Sequence, residues 1–144
     1  MARIKIVLPE KFQFSTQIPV RITDLNFAGH VGNDTILSIL HEIRIQFLAH
    51  YGYTELDLAG AGTIMNDVSI EYKNEIFYGD TIIATVAVAN FSRVSFEVYY
   101  KLEKTNAEGK IIPIVFAKTG HVTYDYQLKK IIHVPEAARI KMTT

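Results

Sequence analysis

The chain has 144 residues, no cysteine and a formal net charge of zero, with 15 basic and 15 acidic side chains. This length predicts one domain over residues 1–144, and the balanced charge argues against nucleic acid as the main partner. The lack of cysteine excludes disulfides, cysteine nucleophiles and thiolate metal sites. No apolar run approaches the ~20 residues of a membrane span, and the first apolar stretch is too short for a signal peptide, so we expect a cytoplasmic protein.

The first half of the chain predicts one strand and one long helix. Residues 11–22 alternate between apolar and polar side chains, which is the period of a half-buried strand. Residues 34–51 predict a helix, with Asn33 or Asp34 as its cap and Gly52 as its stop. The apolar stripe of this helix consists of Ile36, Ile39, Leu40, Ile43 and Phe47, widened by Leu37 and Leu48. A stripe this broad indicates a helix that a sheet largely wraps.

The second half predicts antiparallel strands joined by short turns. Residues 54–62 are expected to form a loop with a short helical turn. Alternating or β-branched patterns then predict strands over residues 64–72, 81–89, 94–103 and 111–124, and a short last strand over 128–133. A single helix followed by a run of strands indicates an α+β fold, with a twisted antiparallel sheet curled around the helix.

The junction between the first strand and the helix concentrates polar residues. Residues 23–33 hold a carboxylate, an amide, a histidine and glycines directly before the helix. The first N–H groups of a helix have no partner within it and favour negative charge. Such a junction predicts either a ligand site or a turn with a cap.

The same junction resembles a known family signature. Its residues Arg21-x-x-Asp24-x-Asn26-x-x-Gly29-His30-Val31-Gly32-Asn33 are similar to the pattern Arg-x-x-Asp-x-Asp-x-x-Gly-His-Val-Asn-Asn of the 4-hydroxybenzoyl-CoA thioesterase-like branch of the hotdog fold. Softer matches extend over nearly the whole chain: Glu42 and Arg44, Ile70-x-Tyr72, Tyr78-Gly79-Asp80, Arg93-Val94-Ser95-Phe96 and Pro135-Glu136. The resemblance implies a hotdog fold, in which an antiparallel sheet wraps one long central helix. It also implies a homodimer joined at the sheet edges, which often pairs again into a homotetramer.

Three positions depart from the family pattern. The second aspartate of the signature, which acts as nucleophile or general base in the family, corresponds to Asn26. Gly32 replaces the first asparagine of the Asn-Asn pair, and Ile36 replaces an aromatic residue on the first helical turn. The scaffold of the family's site is therefore expected here, whereas its best-known catalytic group is not.

The resemblance implies an acyl-CoA substrate whose thioester is hydrolysed, with no cofactor beyond the coenzyme A of the substrate. The acyl carbonyl would point at backbone N–H groups where the helix begins, near Gly29 to Val31, and the helix dipole supports developing negative charge there. Asn33 is a further candidate for substrate binding. Gly29 also fits the simpler role of a turn glycine before a helix. The phosphates of coenzyme A need basic side chains, and Lys73 and Arg93 are the candidates. The histidines lack metal-ligand spacing, so no metal is expected.

Asn26, His30 and Asp24 are the candidate catalytic residues. Asn26 cannot take up a proton or form an acyl-enzyme, but it can position a water or hold the carbonyl. His30 is a candidate base because an imidazole titrates near neutrality, although a hydrogen bond that fixes the loop is the favoured interpretation. The aspartate that matches Asp24 more often bonds the loop or the arginine of the signature in the family. Asp34 is interpreted as a helix-start charge, with catalysis as its less favoured role.

Three functions stay open at this point. The first is an acyl-CoA thioesterase in which Asn26 and His30 position the water. The second is a binding protein that keeps the acyl-thioester pocket without hydrolysis, because Asn26 stands where an acid is expected. The third is a dehydratase on the same fold, whose usual arrangement of histidine and carboxylate this sequence does not show clearly. A neighbouring subunit could also lend a carboxylate, such as Asp67 or Glu71.

Overall fold

Six strands and two α-helices make up residues 3–144, the part of the chain that this computed structural model describes. The strands are β1 Phe14–Pro19, β2 Gly62–Tyr72, β3 Thr81–Ala89, β4 Ser95–Thr105, β5 Ile111–Asp125 and β6 Lys130–Ile131. The helices are α1 Asn33–His50 and α2 Glu136–Thr143, and a 3-10 turn, Ile22–Asp24, precedes α1. The strands form one antiparallel sheet in the order β1-β3-β4-β5-β2, with β6 paired to the end of β5.

α1 packs into the core of the protein through one apolar stripe. Its buried apolar residues are Ile36, Ile39, Leu40, Ile43, Phe47 and Leu48. They join one core cluster with inward-facing strand residues, among them Ile82, Val86, Val98, Leu102 and Ile114. The expectation that Leu37 widens this stripe is wrong. Its side chain is 44% exposed, because it lies on a flank of α1 that borders an open cavity.

The predicted strands are confirmed, but the ends of α1 and of β1 differ from the prediction. The strand expected over residues 11–22 covers only Phe14–Pro19, because the chain then enters the 3-10 turn. α1 begins at Asn33 with Gly32 as its N-cap and without a side-chain cap, so the prediction of Asn33 or Asp34 as the cap is wrong. Gly52 follows the helix with φ +82°, as a glycine stop should.

Two further segments differ from the sequence prediction. Residues 54–62 form turns with two isolated bridges, Thr54↔Asp57 and Leu58↔Ala61, instead of a helical turn. α2 was not predicted, because only Ala138 and Met142 are buried on it. Two apolar residues four apart form too narrow a stripe to indicate a helix. No helix among residues 3–144 is long and apolar enough to cross a membrane.

Candidate active site

The segment between β1 and α1 folds into a closed loop. The Asn26 N–H donates to the His30 carbonyl at 2.8 Å, and the Gly29 N–H donates to the Asn26 carbonyl at 3.1 Å. Gly29 has φ +84°, a conformation that glycine adopts without strain. The side-chain Oδ1 of Asn26 accepts the Ala28 N–H at 2.9 Å. These bonds hold Asn26 and His30 close together, directly before α1.

Asp24 ties this loop to the end of β1. Its residue surface is 4% exposed, and its two carboxylate oxygens accept the Arg21 N–H at 2.8 Å and the Arg21 Nη2 at 3.3 Å. Asp24 borders a cavity of about 360 Å³ between β1 and α1, which is lined by different residues from those that surround His30. Both oxygens thus have partners within the loop, as a residue that stabilises the loop requires.

A cavity of about 280 Å³ opens where the loop meets α1 and the turn after β2. Four residues predicted from the sequence line it together, namely His30, Val31, Asn33 and Lys73. The other lining residues are Ile36, Tyr72, Asn74, Glu75, Ile76 and Val115. Four of the ten lining residues are aliphatic, and the other six carry polar groups that can orient a bound small molecule. We refer to this space as the helix-start cavity.

His30 has one ring nitrogen free for a ligand. Its Nδ1 lies 3.2 Å from the Val31 carbonyl oxygen. A carbonyl oxygen only accepts hydrogen bonds, so Nδ1 carries the proton of the neutral ring and Nε2 carries the lone pair. Within residues 3–144 Nε2 makes no hydrogen bond. It can therefore accept a hydrogen bond from a molecule in the helix-start cavity.

The N–H groups of Gly29 and Val31, expected to face the acyl carbonyl, are already engaged in this structure. The Gly29 N–H closes the loop onto Asn26, and the Val31 N–H donates to the Ile76 carbonyl at 2.8 Å. Their role is to shape the loop and to anchor it beside β2. The sequence could not reveal the second bond, because it joins residues that are far apart in the chain.

Two N–H groups one step further along the chain remain without partners in the described structure. The N–H of Thr35 already donates to the Gly32 carbonyl at 3.1 Å. No hydrogen bond within residues 3–144 uses the N–H groups of Asn33 and Asp34, and no side chain caps α1. The positive end of the helix dipole lies at the same place. The start of α1 can therefore donate hydrogen bonds to a negatively charged oxygen.

The two candidate residues for coenzyme A lie at opposite ends of the sheet. Lys73 lines the helix-start cavity, and its Nζ lies 3.2 Å from Glu71 Oε2. Near the same cavity, Lys104 at the end of β4 donates to the Glu75 carbonyl. Arg93 precedes the first residue of β4, whose 11 residues span roughly 35 Å. Within one protomer, Arg93 is thus remote from the cavity.

Asp34, which the sequence favours as a helix-start charge, lies beside Gly32 at the start of α1. Its carboxylate and the side chain of Asn26 both border the position that a Cβ of residue 32 would occupy. The signal in the sequence was Gly32 itself, a departure from the family signature with no turn to explain it. Its φ of −73° is available to any residue.

A separate network of hydrogen-bonded polar side chains joins α1 to β4 and β5 in the core. Arg44 donates from Nε to Glu55 Oε1 at 3.1 Å and from Nη1 to the Tyr100 hydroxyl at 3.2 Å. The Tyr100 and Thr119 hydroxyls lie 2.7 Å apart, and Thr119 Oγ1 lies 2.8 Å from His121 Nε2. Burial, reinforced by the charge of Arg44, lowers the pKa of His121 to about 3. The imidazole is therefore neutral in the folded protein at physiological pH.

Comparison with known structures identifies the architecture. A thioesterase superfamily protein from Jannaschia sp. CCS1 aligns with a TM-score of 0.81 and 21% identity over 94% of this chain and 84% of that one. The 4-hydroxybenzoyl-CoA thioesterase of Pseudomonas sp. strain CBS-3 aligns with a TM-score of 0.79 and 17% identity over 91% and 99%. A 1,4-dihydroxy-2-naphthoyl-CoA thioesterase from Synechocystis gives 0.78 and 17% over 90% and 95%. The antiparallel sheet with its long helix is a hotdog fold, as the sequence predicted.

The comparison of sequences identifies the family as well as the fold. The profile of the thioesterase-like superfamily matches residues 20–142. The chain therefore belongs to the thioesterase-like superfamily, which confirms the resemblance seen in the sequence. No individual curated protein sequence matches the chain.

Proposed function

We propose that the protein hydrolyses an acyl-CoA thioester in the helix-start cavity. The observation that carries this proposal is the pair of unpaired N–H groups, at Asn33 and Asp34, beside a cavity that His30 also lines. Two of the similar solved structures are thioesterases of acyl-CoA substrates, which supports the choice of ligand. The first experiment is therefore to find which acyl-CoA the protein hydrolyses.

Hydrolysis requires a stabilised oxyanion and a water held against the carbonyl carbon. The acyl oxygen accepts hydrogen bonds from the N–H groups of Asn33 and Asp34, where the helix dipole also stabilises developing negative charge. His30 Nε2 accepts a hydrogen bond from the water, and the amide NH₂ of Asn26 donates one to it. Water adds to the carbonyl carbon, the C–S bond then breaks, and the products are a carboxylic acid and the thiol of coenzyme A.

Turnover on a panel of short, long and aromatic acyl-CoAs tests the proposal. We expect hydrolysis of at least one, and we expect His30→Ala and Asn26→Ala each to lower kcat about 10- to 100-fold, because both remove contacts that place the water. The exposed His133, which lies beside Arg93, serves as the control, and His133→Ala should keep full activity. No turnover on any substrate, or turnover untouched by both substitutions, contradicts this mechanism.

One observation favours a second candidate, a binding protein that holds an acyl-CoA without hydrolysing it. Asn26 cannot accept a proton, and its Oδ1 is occupied by the Ala28 N–H. This function predicts that acyl-CoA raises the Tm while no thiol is released. The variant Asn26→Asp separates the two candidates. A sharp rise in its turnover indicates a binder or a weakened enzyme, and a fall indicates that the asparagine works in the native site.

We further propose that Lys73 binds a phosphate of coenzyme A. A charge-assisted hydrogen bond contributes ~1.5 kcal/mol, so Lys73→Gln is expected to raise KM for acyl-CoA about tenfold at unchanged kcat. Arg93→Gln is the matched comparison, and in an isolated protomer its distance from the cavity predicts no change. An equal rise of KM in both variants indicates that Arg93 of a neighbouring subunit reaches the site. Unchanged KM in both removes the proposal.

We also infer that two copies of the chain pair through β2. Among the strands of residues 3–144, β2 pairs with β5 alone. Beyond Thr63, whose N–H donates to the Glu55 carbonyl at 2.8 Å, the outer edge of β2 makes no backbone–backbone hydrogen bond in the described part of the chain. Exposed apolar side chains lie beside this edge: Met65, Val68 and Tyr72 on β2 and Leu37 on α1. An unpaired apolar edge is a surface that favours pairing with another strand.

Val68→Lys is expected to raise the dissociation constant of the dimer about 100-fold, since an unpaired charge buried at the new interface costs ~3 kcal/mol. Size-exclusion chromatography with light scattering over a dilution series measures the change. Ile140→Lys, at an exposed position on α2 beside β3, is the control and should leave the assembly unaltered. A wild-type monomer, or a Val68 variant with the wild-type constant, contradicts pairing at this edge.

A further inference from the structure

The side chains of Asp34 and Asn26 border the space that a side chain at position 32 would occupy. A Cβ built on Gly32 would lie 2.7 Å from Asp34 Oδ1 and 3.5 Å from Asn26 Cβ. Real Cβ atoms essentially never approach an oxygen that closely. Because the backbone of Gly32, at φ −73° and ψ 153°, suits any residue, conformation does not explain this glycine. What it provides is room for the carboxylate of Asp34 beside Asn26.

Asp34 directly follows Asn33, which lines the helix-start cavity. Tyr72 lines that cavity, and its hydroxyl donates to the Asn33 carbonyl at 3.4 Å. The pKa of the Tyr72 hydroxyl is raised by burial and, in addition, by the negative charge of Asp34. Within residues 3–144 the Asp34 carboxylate makes no hydrogen bond and no ion pair. It is thus an uncommitted base next to the N–H groups that would hold the oxyanion.

We propose that Asp34 is the catalytic general base of the site, in place of the carboxylate that Asn26 lacks. This assignment rests on the proposed thioesterase function and adds the residue that removes the proton. Asn26 and Gly32, the two departures from the family signature within the loop, then form one arrangement with Asp34. The carboxylate then lies on the first turn of α1 instead of in the loop, and the missing side chain of Gly32 leaves room between Asn26 and Asp34.

The step balances without any further reactant. The Asp34 carboxylate takes one proton from the water as the water oxygen bonds to the carbonyl carbon, and the carbonyl electron pair moves onto the oxygen. When the tetrahedral intermediate collapses, that electron pair reforms the C=O bond and the C–S bond breaks. The thiolate of coenzyme A receives the proton from Asp34. The carboxylate is regenerated, and the products are the acid and the thiol.

Asp34→Asn in the full-length protein tests the assignment. The change keeps the shape of the side chain, so we expect kcat on the best acyl-CoA to fall about 100-fold or more while KM stays within about twofold. Glu136→Gln removes the acid from the first turn of α2 and is the matched control for the loss of a helix-start charge. It should retain the wild-type kcat. Thermal unfolding of both variants reports any purely structural effect.

A swap of the two positions separates a base from a structural charge. The double variant Asn26→Asp/Asp34→Asn returns a carboxylate to the loop, and we expect it to recover at least about tenfold of the lost kcat. Gly32→Ala crowds Asp34 Oδ1 and should lower kcat about tenfold with little change in Tm.

Two results would overturn the assignment of Asp34 while leaving the thioesterase function intact. One is an active wild-type protein whose kcat survives Asp34→Asn within about threefold. The other is a loss of kcat that the swap does not restore and that accompanies a larger drop in Tm than in Glu136→Gln. A wild-type protein without turnover on any acyl-CoA removes both the function and the assignment, so the two failures are distinguishable.

Discussion

Replacing Arg44 by methionine is expected to lower the free energy of unfolding by about 3 kcal/mol. Arg44 is 7% exposed, and its guanidinium bonds both the Glu55 carboxylate and the Tyr100 hydroxyl. Methionine fills similar space but removes the guanidinium from both oxygens, which leaves Glu55 Oε1 with the exposed His41 Nε2 at 3.1 Å and the Tyr100 hydroxyl with Thr119. Because Tyr100 is fully buried and Glu55 is only partly accessible, little water can replace the lost bonds. Urea unfolding measures the difference in free energy.

Two further variants serve as controls for this prediction. Arg139→Met removes an arginine whose ion pair with Glu136 is exposed, and it should change the unfolding free energy by less than about 1 kcal/mol. Adding Glu55→Gln to Arg44→Met removes the carboxylate charge that has lost the guanidinium and should recover part of the loss. An Arg44 variant no less stable than the Arg139 variant would show that the core tolerates the unpaired groups.

Acidification is expected to destabilise the protein through His121, in the range between pH 6.5 and pH 3. Burial and the nearby Arg44 charge lower the pKa of His121 from 6.5 to about 3 in the folded state. Between these two pH values His121 therefore binds a proton in the unfolded chain but not in the folded protein. The stability from the neutral imidazole is complete above pH 6.5 and falls as the pH drops below that value. By pH 5 the loss amounts to about 2 kcal/mol.

The variant His121→Gln isolates this contribution. Glutamine can keep a hydrogen bond to Thr119 but does not titrate, so its unfolding free energy should fall less steeply between pH 6.5 and pH 5 than that of the wild type. The exposed His133→Gln serves as the control and should follow the wild-type curve. Parallel curves for all three proteins would mean that His121 does not govern the acid response.

The parts of the fold that follow local patterns were predicted well from the sequence. The strand expected over residues 81–89 is β3, because a run of β-branched residues between two turns defines its own ends. The cap of α1 was missed, since the choice among Gly32, Asn33 and Asp34 depends on the path of the preceding loop. α2 was missed because only two of its residues reach the core.

In the candidate site, too, the features that follow local sequence patterns were predicted and those that depend on distant contacts were not. His30, Val31 and Asn33 are neighbours in sequence and line one cavity, as a single loop motif allows. The separation of Lys73 from Arg93 depends on strand register, which residue patterns around either position do not encode. The Val31 N–H donates a hydrogen bond to Ile76, a residue that lies well after α1 in the sequence. Contacts over such distances follow from the assembled sheet.

The strand order has a consequence for how the protein is made. Both edges of the sheet come from the first half of the chain, whereas their partners come later: Phe14 pairs with Val86, and Gly62 pairs with Tyr124. During synthesis, α1 emerges before any of the three central strands that cover its apolar stripe. β2 has no strand to join until β5 has been translated. Folding therefore waits for nearly the whole chain, and until then the nascent protein exposes its most apolar helix to the chaperones around the ribosome.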